Sequence, residues 1–140
     1  LGFELFSHPA DIGVRAWGDS LEEALEEAAL GLVAVQTDLD LIEPREERRL
    51  EVVSPDEEFL LFDFLNEVVF FMAREKMLFG QVKVFLEQKE NQFFLEAKMK
   101  GEKIKPEKHK PAVEIKGVSW HELKVKRKGK GYWVQCVLDV

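Results

Sequence analysis

The sequence has a single cysteine, Cys136, among its 140 residues. One thiol excludes an internal disulfide framework and a multi-cysteine zinc site, and it is compatible with a reducing cytosol. No apolar run approaches the ~18 consecutive residues of a membrane span. No secretory signal pattern follows Leu1, so a cytoplasmic location is expected. A glycine-rich phosphate loop, a paired-histidine metal motif and a nucleophile-elbow serine are all missing, which removes the usual signatures of nucleotide hydrolysis, zinc-protease and serine-hydrolase chemistry. The histidines at positions 8, 109 and 121 are too scattered to imply a metal cage by spacing. There is no internal repeat and no low-complexity linker.

What is present is enough for one ordinary domain, taken as residues 1–140. Hydrophobic residues make up 46% of the chain, with 11 Phe and 3 Trp, which excludes intrinsic disorder. The net charge of -7 argues against wholesale coating of nucleic acid, but that average conceals a split. Residues 98–130 carry 12 Lys+Arg against 4 Asp+Glu, a balance of +8; the remainder carries 8 against 23, or -15. An acidic body with a basic C-terminal third can steer a partner through its field. Lysines protecting sheet edges would give the same count.

Hydrophobic periodicity predicts an α+β fold, a largely antiparallel sheet with two helices packed on it. Residues 1–17 read as two extended segments broken at His8-Pro9. Ser20 followed by Glu23 is a capping box. Leu21, Ala24, Leu25, Ala28, Leu32 and Val35 then recur on one helical face, while Glu22, Glu23, Glu26 and Glu27 form a stripe expected to be solvated. A strand is expected over 48–53. Ser54-Pro55 reads as the cap and first turn of a second helix running to residue 76. That helix is apolar nearly all round, which implies packing on several sides, with Asp63, Asn66 and Glu67 as its polar edge. Past Gly80 the period becomes two, with 89–91 as a hairpin turn. Residues 101–111 read as a polar, mobile loop with His109 solvated. Strands are expected over 112–117, 120–127 and 132–140, with Gly129-Lys130-Gly131 as the last turn. Cys136 alternates with Val134 and Leu138, so its thiol is expected to be buried.

Two carboxylates stand out by context. Asp11 lies where a turn meets a strand, and Asp139 is next to the final residue, Val140. If the first and last strands pair, these side chains and the Val140 carboxylate converge as hard oxygen ligands of the kind Ca²⁺ or Mg²⁺ takes. The alternative is an ordinary turn aspartate and an exposed tail aspartate.

Several blocks in order resemble the archease family. His8-Pro9-Ala10-Asp11-Ile12-Gly13 and the helix after it resemble the family's opening. Leu60-Leu61-Phe62-Asp63-Phe64-Leu65-Asn66-Glu67 is similar to its second-helix signature. Gly101-Glu102, residues 114–121 and the ending Val137-Leu138-Asp139-Val140 look like its remaining blocks. Pro9 replaces a common threonine, Phe64 a common tryptophan, and Gly117 and Ser119-Trp120 depart from Ala and Thr-Tyr; none of these removes a ligand. The resemblance implies a protein cofactor and not an enzyme. It would be an accessory activator of the GTP-dependent RNA ligase of tRNA splicing (the RtcB family), promoting guanylylation of the ligase histidine and multiple turnover, and broadening its nucleotide use. It also implies a divalent-cation site of Asp11, Asp139 and Val140, holding Ca²⁺ in the first place and otherwise Mg²⁺ or Mn²⁺, with Lys116 as a functional neighbour. Two other classes stay open. One is an RNA-binding or chaperone-like module in RNA processing, using the basic segment and the aromatics Trp120, Tyr132 and Trp133. The other is a small metal-dependent hydrolase.

Overall fold

The computed structural model describes residues 1–8 and 10–140. Pro9 and the side chain of His8, expected to form a turn, lie outside the described residues. Chain order is β1 (Gly2–His8), β2 (Asp11–Gly18), α1 (Leu21–Gln36), a 3-10 turn (Leu39–Leu41), β3 (Glu46–Ser54) and α2 (Glu57–Glu75). There follow β4 (Met77–Lys89), β5 (Gln92–Lys103), α3 (Pro106–His109), β6 (Gly117–Lys128) and β7 (Gly131–Asp139). No helix among them is long and apolar enough to cross a membrane.

The strands pair antiparallel as two sheets, β1-β2-β7-β6 and β3-β5-β4. The expected antiparallel α+β architecture is present, split in two because the helices need apolar cover on more than one side. Helix α1 packs on β2 and also on β4; α2 packs on β6 and also on β3. That double contact is why α2 is apolar nearly all round: Leu60, Leu61, Phe64 and Leu65 are fully buried.

Local chemistry sets the element ends. Ser20 Oγ accepts from the Glu23 amide at 3.1 Å, and Glu23 Oε1 accepts from the Asp19 amide at 2.8 Å, closing the expected cap. Glu26 departs from the expected solvated stripe. Its carboxylate accepts from the Val84 amide at 2.8 Å, satisfying a donor on β4, an edge strand. The cap of α2 is Asp56, whose Oδ1 accepts from the Phe59 amide, and not Ser54. Ser54 instead ends β3 and donates from Oγ to Asp63 Oδ2 at 2.6 Å. Lys76 ends α2 in the left-handed conformation, φ 55°, so β4 starts at once, four residues before the expected switch. Glu90 and Asn91, both at positive φ, make the two-residue β4–β5 turn. The strand expected over 112–117 is absent: these residues lie outside any strand until Gly117.

Gly101 faces the irregularity between Phe79 and Gln81 of β4. A Cβ there would stand 1.9 Å from the Leu78 carbonyl oxygen, which is backbone and cannot rotate away. Gly101→Ala is therefore expected to destabilise the fold by about 1–3 kcal/mol, as overpacked sites do. Denaturant unfolding measures this, and an unchanged midpoint would contradict the close approach.

Candidate functional site

Strand β2 runs along β7 in a register from Gly18↔Tyr132 to Ile12↔Leu138. One step beyond that last pair stand Asp11 on one strand and Asp139 on the other. The pairing thus delivers both carboxylates to the same rim of the sheet. Strand β6 reaches this rim from the other side of β7, with Gly117↔Asp139 as its terminal pair. The Lys116 amide donates to the Asp139 carbonyl at 2.8 Å, so Lys116 joins the rim through its backbone and leaves its ammonium exposed. Asp11 is half-buried and Asp139 exposed; Val140 is half-buried against the core.

Helix α2 clamps the same rim. Asn66 donates from Nδ2 to the Phe62 carbonyl at 3.0 Å and accepts at Oδ1 from the Val118 amide at 2.9 Å. The side chain therefore bridges helix and strand where β6 begins. A Cβ on Gly117 would lie 3.4 Å from Asn66 Oδ1, an ordinary van der Waals distance, so Gly117 stands directly beside this bridge.

The donor set suits a hard cation in kind and falls short in number. Ca²⁺ takes about 6–8 oxygen ligands. Among the described residues, no group of three or more His, Cys, Asp or Glu side chains is placed to hold a metal. A cation at the rim would need backbone carbonyls and water beside the two aspartates. Val140 would contribute a carbonyl oxygen, or a carboxylate where it closes the chain.

A second polar cluster was not legible from spacing. Glu102 and His109, expected in an exposed mobile loop, are 2% and 1% exposed. Strand β5 continues through Gly101 and Glu102, and α3 folds His109 back over it. His109 Nδ1 accepts from the Lys105 amide at 2.9 Å, so its ring proton sits on Nε2 and is donated to Glu102 Oε2, also at 2.9 Å. The same oxygen accepts from Lys108 Nζ at 2.8 Å and from the Glu43 amide at 2.9 Å. Arg45 Nε stands 3.4 Å from Oε1, and Thr37 donates its hydroxyl to the His109 carbonyl. Burial alone would push the Glu102 carboxyl up. The Glu43 amide, Lys108 and His109 outweigh that and hold it down to about 2. This cluster ties the lysine-rich segment onto the β3-β5-β4 sheet. The one signal for it in the sequence is an isolated Gly-Glu pair amid lysines.

Of the other expected candidates, Cys136 is buried, and that burial pushes its thiol up to about 12. His121 is exposed within the irregular stretch of β6 between Ser119 and Lys124. Trp120 packs on α2, with ring centroids 4.7 Å from Phe59 and 5.1 Å from Phe62.

A model of the Archease protein family matches residues 3–140. The protein archease of Thermococcus kodakarensis is 43% identical over 139 residues, spanning 99% of this chain and 98% of that protein. That of Pyrococcus furiosus is 42% identical with the same coverage. The solution structure of protein 1598 of Methanobacterium thermoautotrophicum matches at a TM-score of 0.89 and 38% identity, over 99% of each chain. A crystal structure from Thermotoga maritima, described as an archease and possible chaperone, matches at 0.58 and 23% identity over 98% of this chain and 96% of that one. At that identity it speaks for the fold alone.

The Glu102 cluster has a pH signature. Its carboxyl titrates at about 2 in the folded chain against an ordinary 4.5, so between these values the unfolded chain binds more protons and stability rises with pH. The contribution is complete above about 4.5 and lost as pH falls through about 2. Glu102→Gln is expected to be less stable at neutral pH and to show a flatter loss on acidification, followed by denaturant unfolding at stepped pH. An acid slope equal to that of the parent would remove Glu102 from the account.

Proposed function

The chain belongs to the archease family, and on that premise we propose that it is a protein cofactor of the GTP-dependent RNA ligase of tRNA splicing. It promotes guanylylation of the ligase histidine and repeated turnover, and widens the choice of nucleotide, without itself forming a covalent intermediate. The observation that supports this reading is the rim on which Asp11, Asp139 and Lys116 meet. A ligase histidine attacking the α-phosphorus of GTP forms a phosphoramidate and expels pyrophosphate, and charge builds on the leaving oxygens. Stabilising that charge takes cations held in fixed positions. A divalent cation at the rim, Ca²⁺ in the first place and Mg²⁺ or Mn²⁺ otherwise, would supply such charge when bound.

The chain's own residues divide the remaining work. Asp11 and Asp139 present adjacent anionic oxygens to a partner surface that carries cations. Lys116, anchored through its amide to Asp139, offers an exposed ammonium beside them, suited to a triphosphate. Asn66 fixes the strand entrance against α2, so Asp11 and Asp139 are presented on strand ends, with Lys116 one residue before β6.

Asp11→Ala and Asp139→Ala are each expected to lower stimulation of the cognate ligase, read as guanylylation rate in GTP with and without Ca²⁺. Melting temperature is measured on the same samples. Lost stimulation with unchanged melting identifies direct action at the ligase, whereas loss of both identifies a rim that shapes the docking face. Full stimulation by both variants would end the reading.

A further inference from the structure

The outward face of the β1-β2-β7-β6 sheet carries a feature that the rim does not use. Alternation turns Val14, Ala16, Val134 and Cys136 to the core and Trp17 and Trp133 outward. These two tryptophans are direct cross-strand partners, Trp17↔Trp133. The row continues on either side as Gly2↔Trp17 and Lys126↔Trp133. A Cβ on Gly2 would meet the Trp17 ring at 3.1 Å, so that indole lies across the strand beside it. Trp17 is 38% exposed and Trp133 is half-buried.

Two cations lie over the ring of one indole, Trp133. Lys126 Nζ and Lys128 Nζ lie 5.7 Å and 5.2 Å from the Trp133 ring centroid. Lys124 stands one outward position back along β6, opposite Gln135. All three lysines are exposed, and among the described residues none meets a carboxylate. Arg15 on the same face behaves differently: it contacts Glu4 at 3.6 Å, donates to Gln135 at 3.0 Å and covers the Phe6 ring at 4.0 Å.

Edge protection accounts for lysines on β6, which ends the sheet. It does not account for two adjacent tryptophans facing outward from the interior strands β2 and β7. Flat indole faces beside unpaired ammonium groups make the surface on which unpaired bases stack while phosphates are neutralised. A duplex, with its bases already stacked, would find only the charges there.

We propose that this sheet face binds single-stranded RNA, with Trp17 and Trp133 stacking on bases and Lys124, Lys126 and Lys128 contacting phosphates. The platform stands without the ligase reading; only the choice of RNA over DNA rests on that reading. This changes the aromatic set expected from the sequence: Trp120, although 48% exposed, packs on Phe59 and Phe62 of α2, Tyr132 packs against the core, and Trp17 joins Trp133 on the sheet face.

The test needs no ligase. The full chain is titrated with a uridine oligoribonucleotide of about eight residues, within the usual site size of such platforms, and tryptophan fluorescence is followed. Quenching is expected, with RNA bound at least as tightly as the equivalent DNA. The slope of log affinity against log salt should be about -2, for three single-strand phosphate contacts. Trp133→Leu should weaken binding about tenfold or more. The triple variant Lys124→Gln, Lys126→Gln, Lys128→Gln, altered only at exposed positions, should remove most of the salt slope. Trp120→Phe should leave binding unchanged. Absence of quenching at low salt, a preference for DNA, or duplex RNA bound as tightly as single strands would overturn the proposal. Ligase stimulation, measured separately, is unaffected by that failure.

Discussion

The antiparallel pairing of β2 with β7 is the contact on which the rest of the molecule depends. It joins residues 12–18 to residues 132–138 across nearly the whole chain. Closing so long a loop has an entropic cost that only a well-buried interface offsets. Strand β7 provides that interface, with Val134, Cys136, Val137 and Leu138 all nearly inaccessible. The raised thiol pKa of Cys136 follows from the same burial and makes it an inert core residue. Both the rim and the tryptophan row descend from this one register. At its end the pairing sets Asp11 beside Asp139, and along its outward face it sets Trp17 beside Trp133. A slip of one residue would exchange the faces and destroy both arrangements together.

The second constraint is the sharing of helices between sheets. Neither sheet covers a helix alone, so α1 and α2 each contact both. Polar side chains complete the joints where backbone donors would otherwise be stranded. Glu26 reaches from α1 to the Val84 amide, and Asn66 from α2 to the Val118 amide. These residues look like surface positions in a helical projection. Their role appears only once a strand edge is laid against them.

That distinction explains which features were legible beforehand. The cap at Ser20 and Glu23, the change to period two after α2, the turn at Glu90-Asn91 and the burial of Cys136 follow from local pattern, and all are present. Asp56 displaced Ser54 as cap because β3 runs one residue past the expected end at residue 53 and absorbs the serine. Lysine density reads as exposure, and by that pattern Glu102 and His109 fall in a solvated loop. Their burial depends on a proton donated by His109 Nε2 to an acceptor seven residues away, and no composition rule anticipates that. Asp11 and Asp139 were legible only conditionally, as neighbours if the end strands pair. The register meets that condition.

Mapped onto the fold, the charge split separates into two populations. Some cations of the basic third are consumed internally: Lys103 donates to the Glu75 carbonyl, and Lys108 to Glu102. Among the described residues Lys124, Lys126 and Lys128 meet no carboxylate, and they share one face of β6. Glu51, Glu87 and Glu96 share the exposed face of β3-β5-β4 around Val53, Phe85 and Phe94. At physiological ionic strength exposed charges act over about 8 Å, so a polyanion at the tryptophan row feels the nearest lysines far more than the chain's -7. Net charge thus sets how the molecule behaves at long range and in bulk. Contact with a single strand depends on three lysines whose freedom follows from the strand order. The same acidic total that opposes indiscriminate coating of nucleic acid is compatible with one narrow anion-binding face, because Glu4 on that face is held by Arg15 and, among the described residues, no carboxylate contacts the three lysines.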